Sequence, residues 1–526
     1  MSVLAVENLS LTFRTLPILQ EVSFRIEPGK VFGLVGESGS GKSMTALAVM
    51  GLLPHGMHAT GSAQFGAQSL LNMPDHAMCA LRGRDIGMIF QEPMTALNPV
   101  QTIGDQVAET LIVHGTASRQ IARNRARERL ARVGLGDVPL DRYPHELSGG
   151  QRQRVCIAMA VALRPSLLIA DEPTTALDVT TQAQILDLLR DLVADEGMSL
   201  MLITHDLAVV AGMANHVAVM RKGRIVDTGT TEALFRGARH PYTARLFADS
   251  GHIPARTPDI SSEPVLSVSQ VVRDYPGRRI GVFGPRQPVR AVDHVSLQIH
   301  AGESVGLVGE SGCGKSTLTR AILGLDPVQG GTIRLDGEPV LAPGVPAALR
   351  RRMQVVFQDP YGSFNPRHRV GRLISEPFHL LPTPAENIRS RMDEALLAVG
   401  LEPADQTRFI HEFSGGQRQR IAIARAIVIR PKLVILDEAV SALDVTIRAQ
   451  ILDLLADLQH QFGLSYLFIS HDLSVVRAIT DRVLVMKAGR IVEEGQTEAV
   501  FRAPQHEYTK TLIAATPTIP EGWIAA

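Results

Sequence analysis

The sequence predicts an α/β protein that contains two copies of one domain. The first observation is an internal repeat: Glu172 returns 266 positions later as Glu438, and His205 returns at the same offset. Self-similarity at a fixed offset is the signature of a repeated unit. The second observation is a set of short, wholly apolar runs, such as 167–170, that end in polar residues. Because buried parallel strands read this way, we expect each copy to hold a parallel sheet covered by helices.

The repeat also predicts the domain boundaries. Each copy is about 250 residues long, which lies within the usual size range of a domain. We expect the first domain over residues 1–250, a linker over 251–264 and the second domain over 265–526. In the linker, Pro, Ser and Arg replace the apolar periodicity of the flanking segments.

Composition excludes several classes of protein. Lys+Arg and Asp+Glu both total 53 in 526 residues, so the net charge of zero argues against a dedicated nucleic-acid binder. The three cysteines are scattered, which argues against a disulfide framework, structural zinc or an iron–sulfur cluster. The N-terminal residues show no signal peptide, and no run of eighteen apolar residues exists. If the protein works at a membrane, we expect other subunits to supply the span.

The elements of the first copy can be placed in chain order. Val22, Phe24 and Ile26 alternate with polar residues, which predicts a half-buried strand. The apolar run 31–35 predicts a buried strand that leads into a glycine-rich loop. One face of a later helix is marked by apolar residues at 185, 188, 189 and 192. A hairpin is expected around Lys222, and the second copy repeats this order.

Residues 105–147 predict helices inserted between the core strands, and one of them is rich in arginine. A nucleic-acid surface is possible, but a solvated helix face is the preferred interpretation. The matching segment of the second copy, 385–400, carries acidic residues as well, so the position does not demand a basic surface.

Both copies contain the pattern G-x-x-x-x-G-K-[ST], at 36–43 and 309–316. In this phosphate loop, glycines let successive backbone N–H groups surround nucleotide phosphates at a helix N-terminus. We expect Lys42 and Lys315 to reach the β- and γ-phosphates. The residues expected around the nucleotide are Gly36, Ser38, Gly39, Gly41, Lys42, Ser43 and Met44 in the first copy, and Gly309, Ser311, Gly312, Gly314, Lys315, Ser316 and Thr317 in the second.

The segments LSGGQRQR (147–154) and FSGGQRQR (413–420) resemble the signature sequence of ABC-transporter ATPases. The other motifs of that family stand in family order in both copies. The resemblance implies two tandem nucleotide-binding domains of the P-loop NTPase (RecA-like) fold, each with an antiparallel β subdomain and a helical subdomain. Its motif residues here are Asp171 and Asp437 (Walker B), Gln91 and Gln358 (Q-loop), Asp178 and Asp444 (D-loop), and His205 and His471 (switch histidine).

The chemistry of phosphoryl transfer gives these residues their expected roles. Mg²⁺ is expected to be held by Ser43, Asp171 and Gln91 in the first copy, and by Ser316, Asp437 and Gln358 in the second. The adjacent glutamates, Glu172 and Glu438, are placed to accept a proton from the attacking water or to orient it. The switch histidines are expected to reach the γ-phosphate.

The resemblance also implies that ATP is shared between the two domains. Each signature opens a helix, whose N-terminal N–H groups suit a γ-phosphate. In the family this helix serves the ATP of the opposite domain, so Lys42 would pair with Ser414-Gly415-Gly416, and Lys315 with Ser148-Gly149-Gly150. Phe13 and Tyr275 fall where the family stacks an aromatic ring on adenine, although either could simply be core.

Four further segments resemble one branch of the family, the oligopeptide and dipeptide importer ATPases: 90–99, 357–366, 240–246 (HPYTARL) and 506–512 (HEYTKTL). This implies a fused pair of importer ATPase subunits that use ATP and Mg²⁺ at the cytoplasmic face of the inner membrane, as a peripheral protein. The expected partners are two multi-span permease subunits and, through them, an extracytoplasmic solute-binding protein. The solute itself stays open.

Two alternatives belong to other classes. A ribosome-associated tandem ATPase, acting as a translation factor, usually has a long charged helical linker between its domains, whereas this linker has about fifteen residues. A DNA-repair ATPase would need zinc-binding cysteine modules or long coiled-coil insertions, and neither stands in the sequence.

Overall fold

The computed structural model describes residues 2–115, 117–175, 177–257, 259–279, 286–359, 362–381, 387–441 and 443–523. Pro258 of the expected linker and Pro360 and Tyr361 of the second Q-loop segment lie outside them. The chain divides into two compact units. The first contains residues 1–251 and 517–526, and the second contains residues 252–516.

The first unit contains ten strands and ten α-helices in the part of the chain that is described. The strands are β1 (Leu4–Phe13), β2 (Leu16–Ile26), β3 (Val31–Val35), β4 (Met57–Phe65), β5 (Gln68–Ser69), β6 (Ile86–Ile89), β7 (Leu167–Asp171), β8 (Ser199–Ile203), β9 (His216–Arg221) and β10 (Arg224–Thr230). The helices are α1 (Lys42–Val49), α2 (Asp75–Leu81), α3 (Pro93–Ala96), α4 (Ile103–Val113), α5 (Arg119–Arg132), α6 (Gly149–Ala160), α7 (Val179–Glu196), α8 (Leu207–Met213), α9 (Thr231–Arg236) and α10 (Pro241–Ser250).

The second unit repeats this order. Its strands are β11 (Pro264–Arg279), β12 (Arg286–His300), β13 (Ser304–Val308), β14 (Gly330–Leu335), β15 (Glu338–Pro339), β16 (Met353–Val356), β17 (Leu433–Asp437), β18 (Ser465–Ile469), β19 (Arg482–Lys487) and β20 (Arg490–Gln496). Its helices are α11 (Lys315–Ile322), α12 (Ala347–Arg352), α13 (Val370–Ser375), α14 (Ile388–Ala398), α15 (Gly415–Ile427), α16 (Val445–Phe462), α17 (Leu473–Ile479), α18 (Thr497–Arg502) and α19 (Glu507–Ala514).

Each unit has one antiparallel and one mainly parallel sheet. In the first unit the antiparallel sheet has the order β2-β1-β4-β5, and the larger sheet has the order β10-β9-β3-β8-β7-β6. Only the edge pair β9–β10 of the larger sheet is antiparallel. The second unit has the orders β12-β11-β14-β15 and β16-β17-β18-β13-β19-β20. The predicted α/β fold with an antiparallel β subdomain is confirmed.

The wholly apolar runs form the central strands, because both faces of the parallel sheet are covered. Every residue of β3 and of β8 is buried, as the absence of polar alternation in these runs predicts. A helical layer is inserted between β6 and β7, where α4 packs against α5 and α6. In the second unit α13 and α14 pack against α15 in the same way.

The arginine-rich helix α5 forms ion pairs within its own unit. Arg129 lies 2.8 Å from Glu196, and Arg132 lies 2.6 Å from Asp195, at the end of α7. Arg123 is paired with Asp141. These pairs account for three of its arginines and leave a less basic surface than the sequence run suggests.

The segment after Gly251, expected to be a linker, belongs to the second unit from His252 onward. Arg256 explains this assignment, because its guanidinium lies 3.0 Å from both Asp481 and Gln459 and is largely buried. The sequence expectation kept residues 517–526 with the second domain, whereas the contacts place this tail with the first unit. Trp523 packs there against Phe235, with ring centroids 5.8 Å apart.

Among the described residues, no helix has both the length and the apolar character needed to span a bilayer.

Candidate nucleotide-binding sites

Each phosphate loop follows the central strand of its parallel sheet and leads into a helix. Gly36 follows β3 with φ of 151°, and a Cβ atom there would lie 2.3 Å from the carbonyl oxygen of Met220. Gly309 follows β13 with φ of 152°, and a Cβ atom there would lie 2.2 Å from the carbonyl oxygen of Met486. Only glycine lets the loop begin this close to the neighbouring strand.

The loop lysines bend back over the loops that carry them. Lys42 Nζ donates hydrogen bonds to the carbonyl oxygens of Gly36 (2.8 Å) and Glu37 (2.9 Å). Lys315 Nζ donates to those of Gly309 (2.7 Å) and Glu310 (2.9 Å). Both side chains are buried, so each loop holds a fixed positive charge. This charge suits an anionic phosphate.

A hydroxyl and a carboxylate expected to hold Mg²⁺ meet in the first unit. Ser43, the second residue of α1, donates from Oγ to Oδ1 of Asp171, the last residue of β7, at 3.1 Å. Burial raises the pKa of Asp171, and the adjacent Glu172 carboxylate adds to the rise, against the Ser43 hydrogen bond. Burial likewise raises the pKa of Asp437. A cation at these carboxylates would offset the cost of burying their charge.

The two glutamates that follow the strand-end aspartates have an unusual backbone. Glu172 has φ of 48° and Glu438 has φ of 50°, in the left-handed region that non-glycine residues rarely adopt. Their N–H groups donate to the carbonyl oxygens of Ile203 and Ile469, each at 2.9 Å. Such a conformation costs on the order of 1–3 kcal/mol and tends to occur at functional sites.

The Glu172 carboxylate has three partners. Gln91 Nε2 and Thr175 Oγ1 each donate to Oε2 at 2.9 Å, and His205 Nδ1 lies 3.3 Å from Oε1. Burial alone would raise the pKa of Glu172, but His205, Thr175 and Lys42 together lower it below its ordinary value. The group is therefore a half-buried carboxylate that stays ionised and is held in place.

The second unit repeats this arrangement with a difference. His471 Nδ1 lies 3.4 Å from Oε1 of Glu438, and this hydrogen bond, working against burial, lowers the pKa of Glu438. Ser441 replaces Thr175 and donates to the backbone carbonyl of Glu438 instead of its side chain. Gln358 is exposed, and among the described residues it makes no hydrogen bond to Glu438. The first carboxylate is thus held by more side chains than the second.

The switch histidines are followed in both units by an aspartate that caps the next helix. Asp206 accepts from the N–H groups of Ala208 and Val209 at the start of α8. Asp472 does the same in α17 and also accepts from Arg448, at 2.7 Å. The histidines are thereby fixed at the end of a rigid strand. The repeated His-Asp pair in the sequence is the signal that points to these caps.

The signature segments build well-defined helix starts. Ser148 caps α6 by accepting from the N–H of Gln151, whose side chain accepts from the N–H of Ser148. Ser414 and Gln417 form the same capping box at α15. Among the described residues, neither serine makes a hydrogen bond to the phosphate loop of its own unit.

Close helix packing explains the glycine in the signature, and helix capping explains the aspartate in the D-loop. A Cβ atom at Gly150 would lie 2.4 Å from Cγ2 of Thr181, so α6 approaches α7 closely there. Asp178 caps α7 by accepting from the N–H of Thr181 (3.0 Å) and the hydroxyl of Thr180 (2.7 Å). Asp444 stands at the same position before α16.

The two candidate adenine-stacking aromatics differ in their surroundings. Phe13 is half-buried at the end of β1, with the Arg14 guanidinium 5.5 Å from its ring centre. Tyr275 is also half-buried, with its hydroxyl donating to Asp326 at 2.9 Å and the Arg273 guanidinium 4.5 Å from its ring centre. Neither ring is wholly in the core, so the stacking role stays a prediction for both.

One contact to a phosphate loop was not expected from the sequence. The hydroxyl of Tyr508, in the HEYT segment, accepts a hydrogen bond from the backbone N–H of Glu310 at 2.9 Å. By its sequence, this segment indicates only a branch of the family. Its position some 190 residues after the loop is the reason local patterns could not reveal the contact.

A phosphate loop and an ionised glutamate on one parallel sheet, with a signature helix inserted beside it, define a nucleotide-hydrolysing cassette. The ABC transporter family matches residues 19–175 and 292–441 of this chain. The family described as "Oligopeptide/dipeptide transporter, C-terminal region" matches residues 492–525. The chain therefore belongs to the ABC transporter family, as a tandem ATPase with two nucleotide-binding domains.

The chain is similar over nearly its whole length to curated members of that family. It is 48% identical over 524 residues to the peptidoglycan transport ATP-binding protein YejF of Agrobacterium fabrum, covering 97% of this chain and 96% of that protein. It is 46% identical over 561 residues to the glutathione import ATP-binding protein GsiA of Escherichia coli K12, covering 98% and 90%. A solved structure of the ATP-binding cassette MJ0796 bound to ADP and Pi matches with TM-score 0.40, 29% identity and coverage of 43% and 98%.

Proposed function

We propose that this chain hydrolyses ATP at two sites and thereby drives an importer for peptides or peptide-like solutes. The observation that carries the hydrolysis is the Glu172 carboxylate, half-buried yet ionised and held by Gln91, Thr175 and His205. The importer assignment is supported by the match to the oligopeptide/dipeptide region and by the names of the two relatives, a peptidoglycan transport and a glutathione import ATP-binding protein. Those relatives also favour the importer over the ribosome-associated alternative.

In this proposal Glu172 and Glu438 act as general bases. Each follows directly after the aspartate that ends a buried strand, and each carboxylate is kept ionised by its histidine. A fixed, ionised carboxylate can orient a water molecule and accept its proton as the water attacks the γ-phosphate. His205 and His471 hold the carboxylates through Nδ1, and in this proposal their other ring nitrogen would contact the γ-phosphate.

The residues present fit Mg²⁺. Ser43 and Asp171 already place a hydroxyl oxygen and a carboxylate oxygen 3.1 Å apart, and Mg²⁺ prefers such hard oxygen ligands. When bound, Mg²⁺ neutralises the charge that develops on the phosphates. Gln91 belongs to the same group, because its amide bonds the adjacent Glu172. Ser316, Asp437 and Gln358 are the corresponding residues of the second unit.

Two composite sites are part of the proposal. Lys42 would serve ATP together with Ser414, Gly415 and Gly416, and Lys315 would serve ATP together with Ser148, Gly149 and Gly150. Support comes from the resemblance of the signatures and from the capping boxes that define the N-terminus of each signature helix. The D-loop residues Asp178 and Asp444 would also belong to these two nucleotide sites.

The proposed partners follow from the importer role. Two multi-span permease subunits would dock on the helical layers, and an extracytoplasmic solute-binding protein would deliver the cargo. The chain would act as a peripheral protein at the cytoplasmic face of the membrane. Dipeptides, longer peptides, glutathione and cell-wall peptides are all candidate solutes.

Purification of the tagged chain from its own cells tests the class of function. We expect two multi-span membrane proteins to co-purify in detergent, and the complex to hydrolyse ATP faster when the loaded binding protein is added. Co-purification with ribosomes, without any membrane protein, would establish the translation-factor alternative instead.

A further inference from the structure

The HEYT segment is fixed to the edge of the second parallel sheet. Glu493, in β20, accepts the backbone N–H groups of Gln505 (2.7 Å) and His506 (3.0 Å). Burial would raise the pKa of Glu493, but these donors lower it overall. His506 Nδ1 then accepts from the N–H of Tyr508 at 3.1 Å and so caps α19. The chain therefore holds the start of α19 in one place.

Tyr508 lies between this edge and the phosphate loop. Its side chain is only 5% exposed, and the ammonium of Lys487 lies 4.6 Å from the centre of its ring. A cation above a tyrosine ring is attracted to the face of the ring. The hydroxyl of the buried Tyr508 accepts a hydrogen bond from the backbone N–H of Glu310 at 2.9 Å.

Glu310 is consequently held from both sides. The Tyr508 hydroxyl accepts a hydrogen bond from the N–H of Glu310, and Lys315, the loop lysine, donates one to the carbonyl oxygen of Glu310 at 2.9 Å. Two consecutive peptide units at the start of the loop are thus fixed by side chains. Because a phosphate loop binds anions through N–H groups that must be oriented in advance, fixing these peptides favours binding.

We propose that Tyr508 is a positioning residue for the second ATP site, through which the HEYT segment keeps the phosphate loop in its nucleotide-binding conformation. This inference rests on the proposed ATP hydrolysis at that loop. It gives the segment a role within its own unit, in addition to marking a branch of the family.

The first unit carries the same framework. The N–H of Tyr242 donates to His240 Nδ1 at 3.1 Å, and the Arg221 guanidinium lies 4.6 Å from the centre of the Tyr242 ring. Asp227 accepts the N–H groups of Arg239 and His240, as Glu493 does in the second unit. A cation, a capping histidine and a buried tyrosine therefore recur together.

The direct test is Tyr508→Phe, which removes only the hydroxyl. It is made in a Lys42→Ala chain, so that binding of a fluorescent ATP analogue reports the second site. We expect the Kd to rise about 2- to 10-fold, the range for loss of one hydrogen bond. An unchanged Kd, in a chain where Lys315→Ala still weakens binding, would overturn the inference.

The matched control is Tyr466→Phe. The Tyr466 hydroxyl is fully buried in the same unit and donates to the carbonyl oxygen of Leu455 at 2.9 Å, without contacting the loop. We expect this variant to lower the unfolding temperature without changing the Kd. An equal rise of the Kd in both variants would assign the effect to stability alone and overturn the positioning role.

Kinetics separate positioning from loss of folded protein. In the otherwise unchanged chain, Tyr508→Phe should raise KM for ATP with kcat preserved within about twofold, because the hydroxyl supports binding of substrate and transition state alike. A lower kcat at unchanged KM would mean fewer folded molecules and would contradict the inference. If Glu438 proved not to be the general base, the effect of Tyr508→Phe on ATP binding would still be expected. The role of Tyr508 and the role of Glu438 can therefore be refuted independently.

Discussion

Nδ1 of His471 lies 3.4 Å from Oε1 of Glu438, and His205 stands in the same relation to Glu172 at 3.3 Å. In both units the histidine is fixed by the strand before it and the helix cap after it. The glutamate is fixed by its left-handed backbone. The proposed base and its histidine partner therefore each have a fixed backbone, which keeps the distance between their side chains short.

Removal of the histidine should change the pH dependence of hydrolysis. The His471 hydrogen bond is the largest cause of the lowered pKa of Glu438, so His471→Ala should raise that pKa. Because a base must be ionised, we expect the acid limb of the kcat–pH profile to move to higher pH. The move should be smaller for His205→Ala, since the Thr175 hydroxyl also lowers the pKa of Glu172 and no hydroxyl does so for Glu438.

The lowered pKa of Glu438 also predicts how the stability of the fold changes with pH. A carboxylate whose pKa is lowered on folding stabilises the fold above its ordinary pKa, and this contribution is lost as the pH falls through the lowered value. Thermal unfolding from pH 7 downward should therefore show a smaller acid-induced loss of stability in His471→Ala than in the unchanged chain. Identical pH profiles for the two proteins would contradict the proposed coupling.

Replacement of both glutamates by glutamine tests the general base. Glu172→Gln with Glu438→Gln keeps the shape of the side chains and removes their basicity. We expect ATP hydrolysis to fall by at least about 10²–10⁴-fold, with ATP binding retained. A nucleotide-binding assay on the same preparation is the control. Hydrolysis within a few-fold of the unchanged chain would refute the assignment.

Replacement of single lysines tests whether the two sites work together. Lys42→Ala and Lys315→Ala should each lower turnover sharply, because the proposed composite arrangement needs nucleotide at both loops. Since both halves belong to one chain, their association is intramolecular, and the activity per chain should not change over a roughly hundredfold dilution. A fully active lysine variant, or an activity per chain that falls steeply on dilution, would refute the proposal of two composite sites within one chain.

Replacement of Trp523 should loosen the first unit rather than the second. Phe235 stacks on Phe247 with ring centroids 4.3 Å apart, and Trp523 packs against Phe235 with ring centroids 5.8 Å apart. We expect Trp523→Ala to cost about 0.5–1.5 kcal/mol, the usual worth of an aromatic contact beyond its buried area. Hydrogen exchange should rise in α9 and α10 and stay unchanged in α18 and α19.

Trp523→Phe is the control for this variant, because it keeps an aromatic ring at the contact. Trp523 is also the single tryptophan of the chain, so its emission reports whether the tail is docked. Exchange that rises equally in both units would show that the contact is not specific to the first.

The sequence was sufficient for those parts of the fold that local patterns encode. The run at 31–35 has no polar residue, and β3 is buried throughout. Each phosphate loop places its lysine and glycines by local backbone geometry, so its position after the strand was also predictable. The internal repeat then extended every assignment from one unit to the other.

Other features depend on contacts between distant residues. Thr175 bonds the Glu172 side chain whereas Ser441 bonds a backbone carbonyl, a difference that no motif specifies. The docking of Arg256 on Asp481 and of Trp523 on Phe235 also joins segments far apart in the chain. Such contacts carry no local periodicity, which is why the boundaries of the linker and of the tail were the least predictable parts.

The position of the tail has a consequence for biosynthesis. The ribosome must translate the 265 residues of the second unit between Gly251 and Pro517, the start of the tail. At about 5–20 residues per second, this takes roughly 10 to 50 s. Throughout this interval Phe235 lacks its contact with the Trp523 ring, while its contact with Phe247 can already form. The second unit can fold meanwhile, and the first unit gains its last aromatic contact only when residue 523 has emerged.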